Sequence, residues 1–130
     1  MNQKIATIFG GSGFIGRHLI RRLTKKDYRI IVATRSPHLI GYLKPLGGSG
    51  EVELVKVDIY DLKDIKNVVQ NSSIVINLVG ILHETRKQKF NYIHSEFPNL
   101  LSNVCNQFNI QKMVHLSALG IKKDHTSKYM

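Results

Sequence analysis

Five short apolar runs, separated by segments of helical or irregular character, constrain the fold of this chain more than any other feature. Most of the runs are continuously apolar, which is typical of strands buried on both faces of a parallel sheet. Helices are predicted over residues 14–23, from Asp61 to about residue 70 and over residues 90–108, with a short helix or irregular link at residues 37–46. This order predicts an α/β fold, a doubly wound parallel sheet of about five strands with helices on both faces. The predicted strands are residues 4–9, 29–34, 51–57, 73–79 and 112–116.

The size and composition indicate one folded domain over residues 1–130. The hydrophobic share is 42% and the charged share 22%, which argues against a disordered chain. A chain of this length can bury about two-thirds of its unfolded surface around a single core.

The charge is the one unusual part of the composition. The formal net charge is +10, and residues 1–50 hold nine basic groups against one acidic group, Asp27. Such a balance can indicate an anionic partner. Most of these cations follow the polar side of the first predicted helix, and no aromatic residues are interleaved as a nucleic-acid platform would need. A solvated helix face is therefore favoured over nucleic-acid binding.

Several classes of protein are excluded by simple counts. No apolar run approaches the roughly 20 residues that a membrane-spanning helix needs, and the N-terminus does not resemble a signal peptide. The single cysteine, Cys105, excludes a disulfide framework or a zinc ribbon, and it is predicted to be buried on a helix. The six histidines show no metal-ligand spacing. We expect a cytoplasmic protein, with any membrane association made through a partner.

A glycine-rich loop lies between the first strand and the first helix. Gly10, Gly13 and Gly16 form the pattern G-x-x-G-x-x-G, and Gly11 adds a further glycine at the turn. Glycines in this context let the backbone turn tightly and let a pyrophosphate approach the amides at the helix N-terminus. The strand, loop and helix context that this motif requires is also predicted here, so the loop indicates a Rossmann-like dinucleotide site.

The residue after the second strand bears on the choice of cofactor. An NAD site places a carboxylate there to hold the ribose 2′-hydroxyl, whereas a 2′-phosphate is matched by arginine. This strand ends in Ala33-Thr34-Arg35-Ser36, without a nearby carboxylate. The guanidinium of Arg35 favours NADP(H) over NAD(H), although a solvated arginine remains the alternative.

Several stretches of the chain resemble one family. They are residues 10–23 (GGSGFIGRHLIRRL), 42–47 (YLKPLG), 75–82 (VINLVGIL), 86–90 (RKQKF) and 114–120 (VHLSALG), with the tripeptide Ser127-Lys128-Tyr129. They resemble the extended and atypical short-chain dehydrogenase/reductases of the NAD-dependent epimerase/dehydratase family. Within it, they are similar to the branch that holds the NADPH-binding accessory subunit of respiratory complex I and its bacterial relatives. Complex I is thus one partner that the resemblance implies.

The resemblance also implies roles for particular residues. The three loop glycines with Ser12, Phe14 and Ile15 would form the pyrophosphate cradle, with Ile15 packed beneath it, and Arg35 would meet the 2′-phosphate. Asp58, followed by Ile59, would contact the adenine amino group. The backbone around the adenosine ribose would come from Leu78, Val79 and Gly80. The catalytic serine and tyrosine of the family would be Ser117 and Tyr129.

The chain departs from the family pattern in two places. The lysine of Y-x-x-x-K, four residues after the tyrosine, is absent because the sequence ends at Met130. The resemblance therefore implies a truncated or split product that lacks the C-terminal part of the family fold and its substrate region. In the helix from residue 90, Phe97 and Pro98 replace small residues and predict altered packing or a kinked first turn.

Three functions remain open from the sequence. The first is an NADP(H)-binding module without turnover, structural or involved in assembly. The second is an oxidoreductase or epimerase that is active only when another chain supplies the missing half. The third is a basic binder of nucleic acid or of an anionic surface.

Overall fold

A computed structural model describes residues 4–10, 13–47, 51–79 and 91–116. The five predicted strands are present as β1 (Lys4–Phe9), β2 (Tyr28–Thr34), β3 (Val52–Lys56), β4 (Ile74–Asn77) and β5 (Lys112–His115). The helices are α1 (Phe14–Lys25), α2 (Leu62–Val69) and α3 (Phe97–Gln107), and the link after β2 forms 3-10 turns at Pro37–Leu39 and Gly41–Gly47. The α/β fold predicted from the sequence is therefore confirmed.

The strands form one parallel sheet in the order β3-β2-β1-β4-β5. From β1 the chain proceeds outward through β2 to β3, and it then crosses to the other side of β1 to add β4 and β5. This reversal places β1 at the centre, with its last residue, Phe9, level with Ala33 of β2 and with Asn77 of β4. The sheet is doubly wound, as the sequence predicts.

A separate hydrophobic core lies on each face of the sheet. Helix α1 and the 3-10 turns cover one face, where Ile20 and Leu43 are fully buried against the strands. Helices α2 and α3 cover the other face through Ile65, Phe97 and neighbouring apolar residues. The ring of Phe97 meets that of Phe9 edge to face with centroids 5.5 Å apart, a geometry that the aromatic quadrupoles favour. Burial on both faces explains why the strands are apolar runs.

An irregular turn lies directly before α3. Residues Tyr92–Glu96 are π-helical, and α3 continues from Phe97 with Pro98 in its first turn. Proline has no N–H to donate to the preceding turn, so a widened turn directly before it avoids an ordinary α-helical bond there. A π-helical turn thus lies beside Phe97 and Pro98, the residues that predict altered packing or a kinked turn.

Cys105 is buried in α3, and burial raises the pKa of its thiol to about 11. Because the thiolate is the reactive form, only about one thiol in a thousand is ionised at pH 8 in the folded chain, against about a quarter at an ordinary pKa near 8.5. We expect labelling by a thiol-reactive disulfide reagent at pH 8 to be slow until denaturant is added. Stoichiometric labelling within seconds under native conditions would contradict this burial.

In the part of the chain that the structure describes, no helix is both long and apolar enough to cross a membrane. The solvent-facing side of α1 carries the cations noted in the sequence, namely Arg17, Arg21, Arg22 and Lys25, all exposed.

Candidate functional site

The candidate crevice lies at the ends of β1 and β4, where the strand order reverses. The two strands are neighbours, and the connections that leave them run in opposite directions. In open α/β sheets, ligands bind outside the carboxyl ends of the strands at such a switch point. The Leu78 N–H donates to the Phe9 carbonyl oxygen at 2.8 Å, so the two strand ends stay in register up to the crevice.

Gly10 is the first residue after β1 and lies against the backbone that follows β4. Its φ is +80°, a left-handed conformation that residues with a side chain rarely adopt. A Cβ at this position would lie 2.8 Å from the Val79 nitrogen and 3.0 Å from the Leu78 carbonyl carbon. Both the dihedral angle and the close approach require glycine here. Gly10, Leu78 and Val79 are thus brought together, as the resemblance implies.

Helix α1 begins at the same edge of the sheet. Gly13 precedes it in an extended conformation, and the Arg17 N–H donates to the Gly13 carbonyl oxygen at 3.0 Å to close the first turn. No acidic residue lies in that turn, and Gly13 offers no side chain to cap it. The free amides at the start of an α-helix carry partial positive charge, so this end can receive an anion.

The side chains around the helix start differ in exposure. Gly16 is buried, which lets α1 pack closely on the sheet. Phe14 is 72% exposed and its ring stacks on that of His18. Ile15 is 37% exposed. Ser12 of the predicted cradle lies outside the described residues.

Arg35 leaves the sheet next to this crevice. It follows Thr34, the last residue of β2. Because Phe9 of β1 pairs with Ala33, Arg35 lies one position beyond the level of Gly10. The turn is ordered by the Ser36 N–H, which donates to Thr34 Oγ1 at 3.2 Å. The Arg35 side chain is exposed and forms no ion pair with the described residues. Its guanidinium can therefore receive a ligand anion.

Asp58 follows β3 at the same edge of the sheet. The Val57 N–H donates to the Thr34 carbonyl oxygen at 2.8 Å, which places Asp58 beside the end of β2. One carboxylate oxygen, Oδ1, accepts a hydrogen bond from the Tyr60 N–H at 2.9 Å. The other makes no hydrogen bond within the described part of the chain. An exposed carboxylate with one oxygen fixed in a turn can accept from an amino group on a ligand.

Two carboxylates at the start of α2 order the turn that contains Asp58. Asp61 caps α2 by accepting from the Lys63 N–H at 3.0 Å, as its position in the sequence predicts. Asp64 in the first turn of α2 accepts from the Asp58 N–H at 3.0 Å. Asp58 is thus held by its main chain and by its side chain.

Tyr92 completes this part of the site and was not predicted. Its hydroxyl donates to the Ile59 carbonyl oxygen, and its ring stacks on that of Tyr60 with centroids 4.4 Å apart. Burial raises the pKa of Tyr92 above its usual value, and the neighbouring Tyr60, Glu96 and Asp58 raise it further. The contact joins residues 33 positions apart, so no local sequence pattern could indicate it.

Replacing Tyr92 with phenylalanine leaves the Ile59 carbonyl without this donor. We expect the free energy of unfolding to fall by about 1 kcal/mol, the usual value of one such hydrogen bond. Urea denaturation measures this change. Because the packing of the ring is retained, an unchanged free energy of unfolding would contradict a stabilising role for this hydrogen bond.

A buried amide behind the crevice was also missed. Asn77 accepts from the Val79 N–H and contacts the His115 ring, and both polar side chains are buried. The available signal was a polar residue inside the apolar run of residues 73–79.

The other predicted site residues cannot be placed. Gly80, Ser117 and Tyr129 lie outside the described residues, so their positions relative to the crevice stay predictions. Over residues 4–10, 13–47, 51–79 and 91–116, no group of three or more His, Cys, Asp or Glu side chains could hold a metal ion.

Comparison with known proteins agrees with this geometry. The profile of the NAD dependent epimerase/dehydratase family matches residues 6–127. The mitochondrial NADH dehydrogenase (ubiquinone) 1 alpha subcomplex subunit 9 of Mus musculus is 29% identical over 125 residues, covering 95% of this chain and 33% of the relative. The protein of the same name from Arabidopsis thaliana is 32% identical over 128 residues, covering 97% of this chain and 32% of the relative. This chain thus spans about a third of the length of these curated relatives.

Solved structures share the fold. A variant of uronate dehydrogenase from Agrobacterium tumefaciens complexed with NAD superimposes with a TM-score of 0.71 at 21% identity, covering 89% of this chain and 41% of that one.

Proposed function

The chain belongs to the NAD dependent epimerase/dehydratase family, and from that premise we propose that it binds NADP(H) in preference to NAD(H). The observation that carries this preference is Arg35, an exposed cation directly after β2, at the edge where the glycine turn lies. A guanidinium can hold a 2′-phosphate through paired, charge-assisted hydrogen bonds. An NAD-selective site would place a carboxylate there instead.

The other residues of the crevice fit the remaining parts of the cofactor. Gly10 allows the backbone after β1 to lie close against residues 78–79, and the first amides of α1 would receive the pyrophosphate. The free oxygen of Asp58 accepts from the adenine amino group, and the backbone of residues 78–79 forms the wall beside the ribose. When bound, the nicotinamide of the cofactor supplies a hydride.

We also propose that this domain binds the cofactor without turnover of its own. The chain would then act as a structural or assembly element. The relatives named as subunits of NADH dehydrogenase favour assembly with a respiratory complex of that kind.

Titration of the purified chain with NADPH and with NADH, followed by the fluorescence of the nicotinamide, tests this function. We expect both curves to saturate, with the NADPH curve at the lower concentration. Absence of saturation with both cofactors would refute dinucleotide binding, and a tighter NADH curve would refute the preference.

A second candidate is an oxidoreductase or epimerase completed by another polypeptide, and the match of residues 6–127 to the NAD dependent epimerase/dehydratase family favours this activity class. Affinity capture of the tagged chain from its own cells, followed by mass spectrometry, separates the two. Recovery of respiratory complex subunits supports the assembly function. Recovery of one stoichiometric protein, with NADPH oxidation by the pair, supports the enzyme.

A further inference from the structure

Asn77 is a fully buried polar residue at the end of β4, behind the crevice. Its side-chain oxygen Oδ1 accepts a hydrogen bond from the Val79 N–H at 3.0 Å. Its nitrogen Nδ2 lies 2.9 Å from Nδ1 of His115, which is 7% exposed at the end of β5. The Asn77 carbonyl oxygen also accepts from the Leu116 N–H at 3.0 Å. Asn77 thereby joins β5 to the backbone segment that follows β4.

The two partners of the amide together fix its orientation. The Val79 N–H can only donate, so it must face Oδ1 of Asn77. The amide nitrogen then faces His115 and can only donate, so Nδ1 of the imidazole must accept. It follows that neutral His115 carries its proton on Nε2. If that proton moved to Nδ1, the amide would have to turn over to accept it and would lose the bond to Val79.

The backbone atom held by Asn77 is the one that meets the glycine turn. The Val79 nitrogen lies 2.8 Å from the position that a Cβ on Gly10 would occupy. The two backbones therefore lie close together where Asn77 acts. A shift of a few tenths of an ångström at Val79 would change the width of the crevice at the side proposed for the adenosine ribose.

We propose that Asn77 and His115 are positioning residues that hold residues 78–79 at the spacing the dinucleotide requires. This inference rests on the proposed function, and it deepens it by naming what sets the geometry of one wall. Neither side chain contacts the cofactor; both act through the Val79 N–H. The imidazole contributes by accepting from Nδ2, which stabilises the amide orientation that leaves Oδ1 toward Val79.

The tautomer of His115 tests the pair without any substitution. Two-dimensional nitrogen–proton correlation spectra of the ring at pH 7.5 report which nitrogen carries the proton. We expect the proton on Nε2 and an unprotonated Nδ1. A proton on Nδ1, in the other neutral tautomer or in the imidazolium, would overturn the proposed orientation.

The variants Asn77→Leu, His115→Leu and the double variant test the effect on binding. Each single substitution is expected to weaken NADPH binding by about tenfold or more, the effect of losing one buried hydrogen bond. The double variant should bind no worse than the weaker single variant, because residues that act as one unit are not additive.

The substitution Thr7→Val serves as the matched control. The Thr7 hydroxyl is fully buried and lies 2.6 Å from the Ser72 hydroxyl, away from the crevice. Thermal denaturation of all four variants shows which are folded at the temperature of titration. Unchanged affinity in folded Asn77→Leu, or an equal loss in Thr7→Val, would refute the positioning role. Failure of the unaltered chain to bind NADPH or NADH would instead refute the proposed function. In that case the measured tautomer of His115 would still test the proposed orientation of the Asn77 amide.

Discussion

The substitution Gly10→Ala is expected to abolish saturable NADPH binding and to lower the free energy of unfolding. A residue with a Cβ at the observed φ of +80° costs about 1–2 kcal/mol relative to glycine. The added carbon would also lie 2.8 Å from the Val79 nitrogen, closer than atoms of these types approach without contact strain. The two costs act at one point, so the strain cannot be relieved by rotating a side chain.

The backbone that the new carbon meets is itself held in place. The Leu78 N–H donates to the Phe9 carbonyl oxygen at 2.8 Å, and the Val79 N–H donates to Asn77 at 3.0 Å. Moving residues 78–79 away would weaken both bonds, whereas moving residue 10 would shift the turn toward α1. Either displacement changes the crevice. Nicotinamide fluorescence measures binding, and urea denaturation measures stability.

The substitution Gly41→Ala is the matched control for this prediction. Gly41 begins the second 3-10 turn, and a Cβ there would meet no atom within 4 Å. Because alanine also restricts the unfolded chain, we expect Gly41→Ala to leave binding unchanged and stability equal or slightly higher. If Gly10→Ala bound NADPH as tightly as Gly41→Ala does, the close approach at the crevice would not matter for the cofactor.

The sequence predicts the sheet well because its central strands are buried on both faces. Residues 5–9 are mostly apolar for that reason, and the predicted boundaries of residues 4–9 match β1. The predicted run of residues 73–79 is longer than β4, which ends at Asn77. Residues 78 and 79 are apolar because they line the crevice and the cores beneath it, although they are outside the ladder. Hydrophobicity alone could not distinguish residues inside the buried strand from apolar residues that follow it.

The site residues that could be predicted are those whose residue type is restricted by the local backbone. Gly10 could be predicted because a tight turn directly after a strand favours glycine, and the observed φ is positive. Tyr92 and the pair Asn77–His115 were missed because their partners are 33 and 38 positions away. Such contacts arise only after the strands have been ordered in space. The irregular turn before Pro98 was predictable, since proline acts on its own local backbone.

The substitution Arg35→Asp is expected to reverse the cofactor preference. It removes the cation proposed to hold the 2′-phosphate and places a carboxylate where NAD-selective sites have one. Charge-assisted hydrogen bonds contribute about 1.5–3 kcal/mol, and repulsion between the carboxylate and the phosphate adds to the loss. NADPH affinity should fall by about 100-fold or more, whereas NADH affinity should change by less than about threefold. Parallel titrations at one ionic strength measure both.

The net charge of the protein must be separated from the local contact, because NADPH carries more negative charge than NADH and responds more strongly to any loss of cations. Arg22→Asp makes the same change in net charge on the exposed side of the last turn of α1. A specific contact predicts a large change in the NADPH to NADH ratio for Arg35→Asp and almost none for Arg22→Asp. Raising the salt concentration should shrink any effect of Arg22→Asp, because exposed charges are screened within about 10 Å at 0.1 M. Equal losses of NADPH and NADH in Arg35→Asp would remove the assignment of Arg35 to the 2′-phosphate, and equal ratios in the two variants would assign the preference to the overall charge.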